Sequence, residues 1–314
     1  MDSEDTVHGG RMKKETSKAY IALAIVSFFW GTTYIASKIS AQHMPGLFVA
    51  GIRQFVAGAI LVGYFLLKGY RLPNWDTLRK VSVQGILLLC IANGLLTWSL
   101  QYITSGLAAI IAGLVPLFIA IFSVMILRYM QFTKWMVAGL VAGFAGIVTI
   151  FYDYLHQLVD PAFAFGVILT FLATLSWSFG TVYSSKYKVS LDVLFAVGLQ
   201  MLIAGAVLLP ICFISGQYVN PVNITSETWW SLLYLVLFGS LLAYSAFVFA
   251  VSKLPATQVS LYAYINPIVA IGLGWLLLNE KLTVNVITGA LITLAGVYLV
   301  NKEFKKQQRV DISH

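Results

Sequence analysis

Ten apolar stretches, each long enough to cross a bilayer, leave this chain almost no soluble fold to adopt. They run over 19–39, 47–68, 81–101, 104–127, 134–152, 162–185, 192–215, 229–251, 256–278 and 283–301. A helix rising about 1.5 Å per residue covers ~30 Å of hydrocarbon in roughly 20 residues. In hydrocarbon every backbone N–H and C=O must be satisfied within the chain, which leaves helices or a closed barrel. No stretch alternates polar and apolar residues as a barrel strand does. The expected fold is therefore all-α, with ten transmembrane helices. Composition agrees: 59% of the 314 residues are hydrophobic and only 10% are charged, against about 25% charged in an average soluble domain.

The basic residues fall between the stretches in a regular pattern. Seventeen of the 20 Lys and Arg lie in the N-terminal tail, in the loops after the even-numbered stretches, or in the C-terminal tail. The exceptions are Lys38, Arg53 and Lys281. This bias puts both termini in the cytoplasm of a multi-pass protein of the inner (plasma) membrane. The net charge of +8 thus reads as a topology signal, and no nucleic-acid partner is expected. The first apolar run is too long for a signal-peptide core and lacks a cleavage site, so it is expected to be retained.

The chain also repeats itself at an offset of about 147 to 151 residues. Leu47–Leu61 aligns without gaps on Leu194–Leu208. Trp30, Gly31, Thr32, Tyr34, Ser37 and Lys38 recur as Trp177, Gly180, Thr181, Tyr183, Ser185 and Lys186. Pro116 matches Pro267, and Gly139 and Gly146 match Gly289 and Gly296. The expected layout is a tail (1–18), a five-helix repeat (19–152), an outward linker (153–161), a second five-helix repeat (162–301) and a tail (302–314). Five is odd, so the second repeat enters the membrane inverted. Inverted repeats are a recurrent device of alternating-access transporters, with the substrate site between the repeats near the midplane.

WGTTYIASK (Trp30 to Lys38), GIRQFVAGA (Gly51 to Ala59), Thr104–Phe122 and Ala256–Thr283 together resemble the signature segments of the drug/metabolite transporter superfamily, EamA type. The resemblance covers nearly the whole chain. It implies a ten-helix fold, a central cavity and movement of small metabolites or drugs. One departure is visible: the family often has a Glu just after the fourth helix, as Glu280 follows the ninth here, but Arg128–Thr133 contains no acid.

Polar groups inside lipid-spanning segments face the bundle interior or a watery cavity, because lipid does not solvate them. Arg53, Gln54, Asn93, Gln101, Gln200 and Asn266 are such groups, with the aromatics Trp30, Tyr34, Trp98, Trp177, Tyr183, Tyr244, Tyr262 and Tyr264. The expected substrate-binding set is Trp30, Tyr34, Arg53, Asn93, Trp98, Trp177, Gln200, Tyr244 and Tyr264. Arg53 has two readings: a side chain reaching the outer headgroups, or a clamp for a carboxylate or phosphate. Its repeat partner is Gln200, so only one half carries the charge. Lys38 is either an interfacial anchor or part of an outer gate. Pro116 and Pro267 are expected to kink the fourth and ninth helices and are candidate gating joints.

No Asp or Glu lies mid-span. A proton-driven exporter of cationic drugs usually needs such a carboxylate. The expected function is therefore a secondary transporter, export favoured, for a neutral, zwitterionic or anionic metabolite such as an amino acid. A proton or counter-substrate is a further expected partner, and monomer and homodimer stay equally open. A multidrug exporter of the same family is the alternative, and a non-transporting sensor or scaffold a third reading. The sequence carries no HExxH, GxSxG or P-loop, and no cofactor or metal is expected. Its two cysteines, Cys90 and Cys212, and its four histidines form no ligand pattern.

Overall fold

The computed structural model describes residues 2–127, 133–254, 256–259 and 262–312. It is all-α. Among the described residues nine helices are long and apolar enough to span a bilayer: α1 (Ser17–His43), α2 (Gly46–Leu67), α3 (Trp75–Ser99), α4 (Ser105–Ile126), α5 (Lys134–Tyr154), α6 (Pro161–Lys186), α7 (Val193–Ile214), α8 (Ser226–Lys253) and α10 (Val284–Glu303). A shorter apolar helix, α9 (Tyr262–Leu278), completes the ten. Ten crossings bring both ends of the chain to one face, the terminal face; the opposite face is the far face.

The helix starts are set by caps. Asn74, Thr104, Thr133, Asp160, Asp192 and Thr225 each accept a hydrogen bond from a backbone N–H in the first turn that follows. Each such oxygen satisfies an amide that the helix ladder leaves orphaned. Two of the caps move helix starts ahead of the apolar pattern. α3 begins at Trp75 rather than 81, and α8 at Ser226 rather than 229. Their first turns carry Asp76 and Thr77, and Glu227 and Thr228, so hydropathy alone does not register them.

Repeat-related helices pack on each other: α2 crosses α7, and α5 lies along α10. The crossings rest on missing side chains. A Cβ on Gly58 would sit 2.6 Å from the Leu202 Cα, and one on Gly205 would sit 2.5 Å from the Phe55 Cα. Both members of each contact are exchanged by the repeat offset, as a pseudo-twofold axis requires. The same exchange holds in the other pair. Gly139 abuts the Gly296 carbonyl, where a Cβ would stand 2.7 Å away, and Gly289 abuts Gly146, at 2.6 Å. Close backbone approach supplies the dispersion contacts that hold helices together in lipid. Around these pairs α1 packs on α8 and α9, and α6 packs on α3 and α4.

The far face is tied by charged and polar ends. Glu280 accepts from the Ser105 N–H (2.8 Å), the Ser105 hydroxyl (2.7 Å) and the Gly106 N–H (3.0 Å), capping α4. Asn279, with φ of 54°, turns the chain so that Glu280 reaches it; Asn tolerates this left-handed region better than most residues. Lys38 Nζ donates to the carbonyls of Leu100 (2.6 Å) and Ile103 (2.9 Å), where a cation meets the negative end of α3. Asp153 accepts from Thr283 and from Asn285, joining α5 to α10. The segment that lacks the acid matching Glu280 lies, over 128–132, outside the described residues.

Backbone irregularity is also repeated. α3 widens into a π-helix over Ile86–Asn93, and α8 does so over Leu235–Tyr244. α4 is interrupted at Gly113 and Leu114, just ahead of Pro116. The proline has no N–H and its ring clashes with the carbonyl four residues back; Gly113 and Leu114 close tighter turns instead. Pro267 lies within α9.

Gly205→Val is expected to force α2 and α7 apart, at a cost of about 1–3 kcal/mol, read as a lower melting temperature of the purified protein in detergent. Gly63→Ala, at a helix glycine with nothing within 4 Å, is expected to leave melting unchanged or slightly raised.

Candidate functional site

A cavity of about 740 Å³, counting its mouth, lies inside the bundle between the two repeats. It is lined from α1, α2, α3, α4, α6, α8 and α9. Ala92, Ala109, Ala112, Ala173, Gly239 and Ala263 leave the space open. Trp30, Tyr34, Arg53, Asn93, Trp177 and Tyr244 project onto it, six of the nine residues expected from sequence.

Among the described residues Arg53 is the only charged one in the lining. It is 4% exposed, so it faces the bundle interior and does not reach the headgroups. Its Nε donates to the Ser240 hydroxyl at 2.8 Å. A Cβ on Gly239 would stand 2.6 Å from its terminal nitrogen, so glycine is what lets α8 close over the guanidinium. Both α8 residues belong to the π segment. The remaining four N–H groups of Arg53 make no hydrogen bond, and no carboxylate pairs with it, among the described residues. A guanidinium so placed is suited to a planar, bidentate anion.

Beside it, the Gln54 amide donates to Asn93 Oδ1 at 3.1 Å. Gln54 is 1% exposed and its Oε1 is buried without a partner. Asn266 also lines the cavity, its nitrogen oriented toward the carbonyls of Ser27 (2.8 Å) and Tyr262 (3.2 Å). Trp30 Nε1 donates to the Gly239 carbonyl at 3.2 Å.

Toward the terminal face the cavity meets an aromatic wall. Trp30 and Trp177 stand edge to face, 5.1 Å apart at 84°. Phe247 lies 5.1 Å from each of them, and Tyr262 lies 5.1 Å from Trp30. Tyr244 joins from α8, 6.0 Å from Phe247. Such edge and tilted pairs add to the burial of large apolar area.

Three expected residues lie off the cavity. Gln200 stands behind Tyr244, accepting from its hydroxyl at 2.5 Å and donating to Gln84 Oε1 at 2.7 Å. Gln84 in turn donates to the Tyr187 carbonyl at 3.0 Å. This buried chain ties α8, α7 and α3 to the loop after α6. Trp98 packs edge-on against Phe165, 5.2 Å away. Tyr264 accepts from Asn301 of α10 at 3.0 Å. Conversely, Thr33, Gln54, Thr174, Tyr262 and Asn266 line the cavity without being in the expected set. Thr33 lies three residues after Trp30, and Thr174 three before Trp177. That helical spacing was the available signal.

The family model of the EamA-like transporter family matches residues 17–152 and again 164–302. The chain belongs to the EamA-like transporter family. It is 33% identical over 263 residues to the uncharacterized inner membrane transporter YedA of Escherichia coli, covering 83% of each chain. It is 29% identical to the uncharacterized transporter YvbV of Bacillus subtilis, covering 94% of this chain and 95% of that one. A solved crystal structure shares the fold, with a TM-score of 0.65 at 17% identity, covering 91% and 97% of the two chains. The EamA match falls once on each repeat, and the cavity lies between the matched halves.

Tyr244→Phe removes the donor to Gln200 and leaves a buried acceptor unpaired. It is expected to destabilise the protein by about 1–3 kcal/mol, measured by thermal unfolding in detergent.

Proposed function

We propose that this protein is a secondary transporter that moves a small neutral, zwitterionic or anionic metabolite across the inner membrane by alternating access, with export favoured and both termini cytoplasmic. The observation that carries the reading is the buried, carboxylate-free Arg53 at the wall of a cavity shared by two inverted repeats. A bilayer-spanning scaffold has no structural need for a lone guanidinium there, because burying an ion unpaired is costly.

The asymmetry of the repeats supports a gate. At an offset of 151, Tyr244, Phe247 and Tyr262 correspond to Asn93, Leu96 and Ile111. One end of the cavity thus meets aromatics, and the corresponding positions of the other repeat carry smaller side chains. The two π segments and the break before Pro116 lie where α3, α8 and α4 border the cavity, and a wide or broken turn is where a helix bends with least loss of backbone bonding. Lys38 and Glu280, tying helix ends at the far face, are the matching candidates for an outer gate, with Pro116 and Pro267 as joints.

For an anionic substrate, charge supports export. The inside-negative potential supplies roughly 2.3 kcal/mol per elementary charge per 100 mV, which drives a net anion outward without a coupling ion. A cationic drug gains nothing from this cavity, since Arg53 repels it and no lining residue offers a carboxylate.

Counterflow in proteoliposomes against a panel of amino acids and organic anions tests the reading. Flux is expected for at least one class. Arg53→Gln and Trp30→Ala are expected to reduce it at least about tenfold, equivalent to ~1.4 kcal/mol, and Tyr264→Phe to leave it unchanged. No flux from well-folded protein would sink the proposal. Cysteine labelling in intact cells is expected to find both termini inside.

A further inference from the structure

The charge balance of the cavity narrows the class of substrate, on the premise that the cavity is the transport site. The lining holds one permanent cation, Arg53, and among the described residues no acid. A ligand of net charge −1 brings the site to neutrality. A zwitterion leaves it at +1, with an ammonium and a guanidinium sharing one poorly solvated space. Low dielectric makes that residual charge costly.

A second observation adds a hydrogen-bonding group to the same lining. The neighbouring Gln54 is buried with Oε1 unpartnered, and its nitrogen is held by Asn93. As the two amides stand, the pair presents one unfilled buried acceptor, Gln54 Oε1. An unfilled buried acceptor is complemented by a ligand O–H or N–H. The aromatic wall of Trp30, Trp177, Tyr244 and Tyr262 then faces the remainder, and its area calls for an apolar body.

We infer that the cavity takes a monoanionic carboxylate bearing a neutral hydroxyl beside the carboxylate and an apolar side chain, that is, a hydrophobic 2-hydroxy acid, in preference to the corresponding amino acid. The carboxylate lies on the terminal nitrogens of Arg53, the hydroxyl donates to the Gln54–Asn93 pair, and the side chain stacks on the aromatic wall. Swapping hydroxyl for ammonium changes the net charge with little change of shape, so a matched pair isolates the charge argument.

The test is ligand-induced thermal stabilisation of the purified protein, titrated with 3-phenyllactate, phenylalanine, 3-phenylpropionate and phenyllactamide. Because a ligand of the folded state raises its apparent stability, each titration yields an affinity. Phenyllactate is expected to bind at least about tenfold tighter than phenylalanine, and about fivefold tighter than phenylpropionate, which lacks the hydroxyl. The neutral amide is expected not to bind. Equal or tighter binding of phenylalanine or of the amide overturns the assignment, as does no shift with any of the four. Gln54→Glu, which places a carboxylate beside the cation, is expected to reverse the order in favour of phenylalanine. An unchanged order in folded Gln54→Glu protein also overturns it, while the wild-type series stands without that variant. Binding in the expected order with no counterflow of any compound would uphold this assignment and overturn the transport reading. Counterflow of other compounds with no binding here would do the reverse.

Discussion

Lipid tails offer no hydrogen bonds, and that constraint shapes this structure more than any single contact. Every polar group that enters a span must find its partner inside the protein. The Tyr244–Gln200–Gln84 chain ends on a loop carbonyl and is satisfied along its length. The helix ends are closed in the same way, by Glu280 over the start of α4 and Lys38 over the end of α3. Against this background the unmet groups of the cavity lining stand out: Trp177 Nε1 and, on α2, Arg53 and Gln54. The last two neighbour each other in sequence, and all three line the same space.

The second constraint is symmetry. A duplicated five-helix unit meets its copy along two seams, α2 with α7 and α5 with α10. On a pseudo-twofold axis each seam must accept its own sequence in reverse. Small residues meet that demand readily, because a glycine presents the same flat surface from either side. Hence Gly58 and Gly205 serve one seam, and Gly139, Gly146, Gly289 and Gly296 the other. The lining departs from symmetry. Arg53 corresponds to Gln200 in the other repeat, and aromatics in one repeat correspond to polar or aliphatic residues in the other.

The fold was legible because its signals are coarse. Span length, basic loops and a repeat offset survive uncertainty of several residues. Capped turns, as at Asn74 and Thr225, were invisible to hydropathy because they are polar. The candidate site was legible in part. Trp30 and Trp177 were marked by the repeat, and Arg53 by the rarity of charge in a span. Gln200 was selected as the repeat counterpart of Arg53, but an amide is short and neutral, and Tyr244 and Gln84 engage it fully. Trp98 and Tyr264 carry the same residue types as the lining aromatics, and which face of a helix they occupy depends on neighbours that sequence does not place. The π segments of α3 and α8 had no sequence mark, since a widened turn needs no special residue.

The close fit of Gly239 against the Arg53 guanidinium has a consequence for hydration. The side chain cannot swing toward α8, and its helix position holds it away from the headgroups. When no solute is bound, its terminal N–H groups therefore need water, and that water must be admitted inside the span. Alanines and a glycine along α3, α4 and α6 leave room for it. Under the transport proposed above, a solute that takes this place sheds its own hydration and displaces these molecules in one exchange, so selectivity is then measured against water as much as against rival solutes.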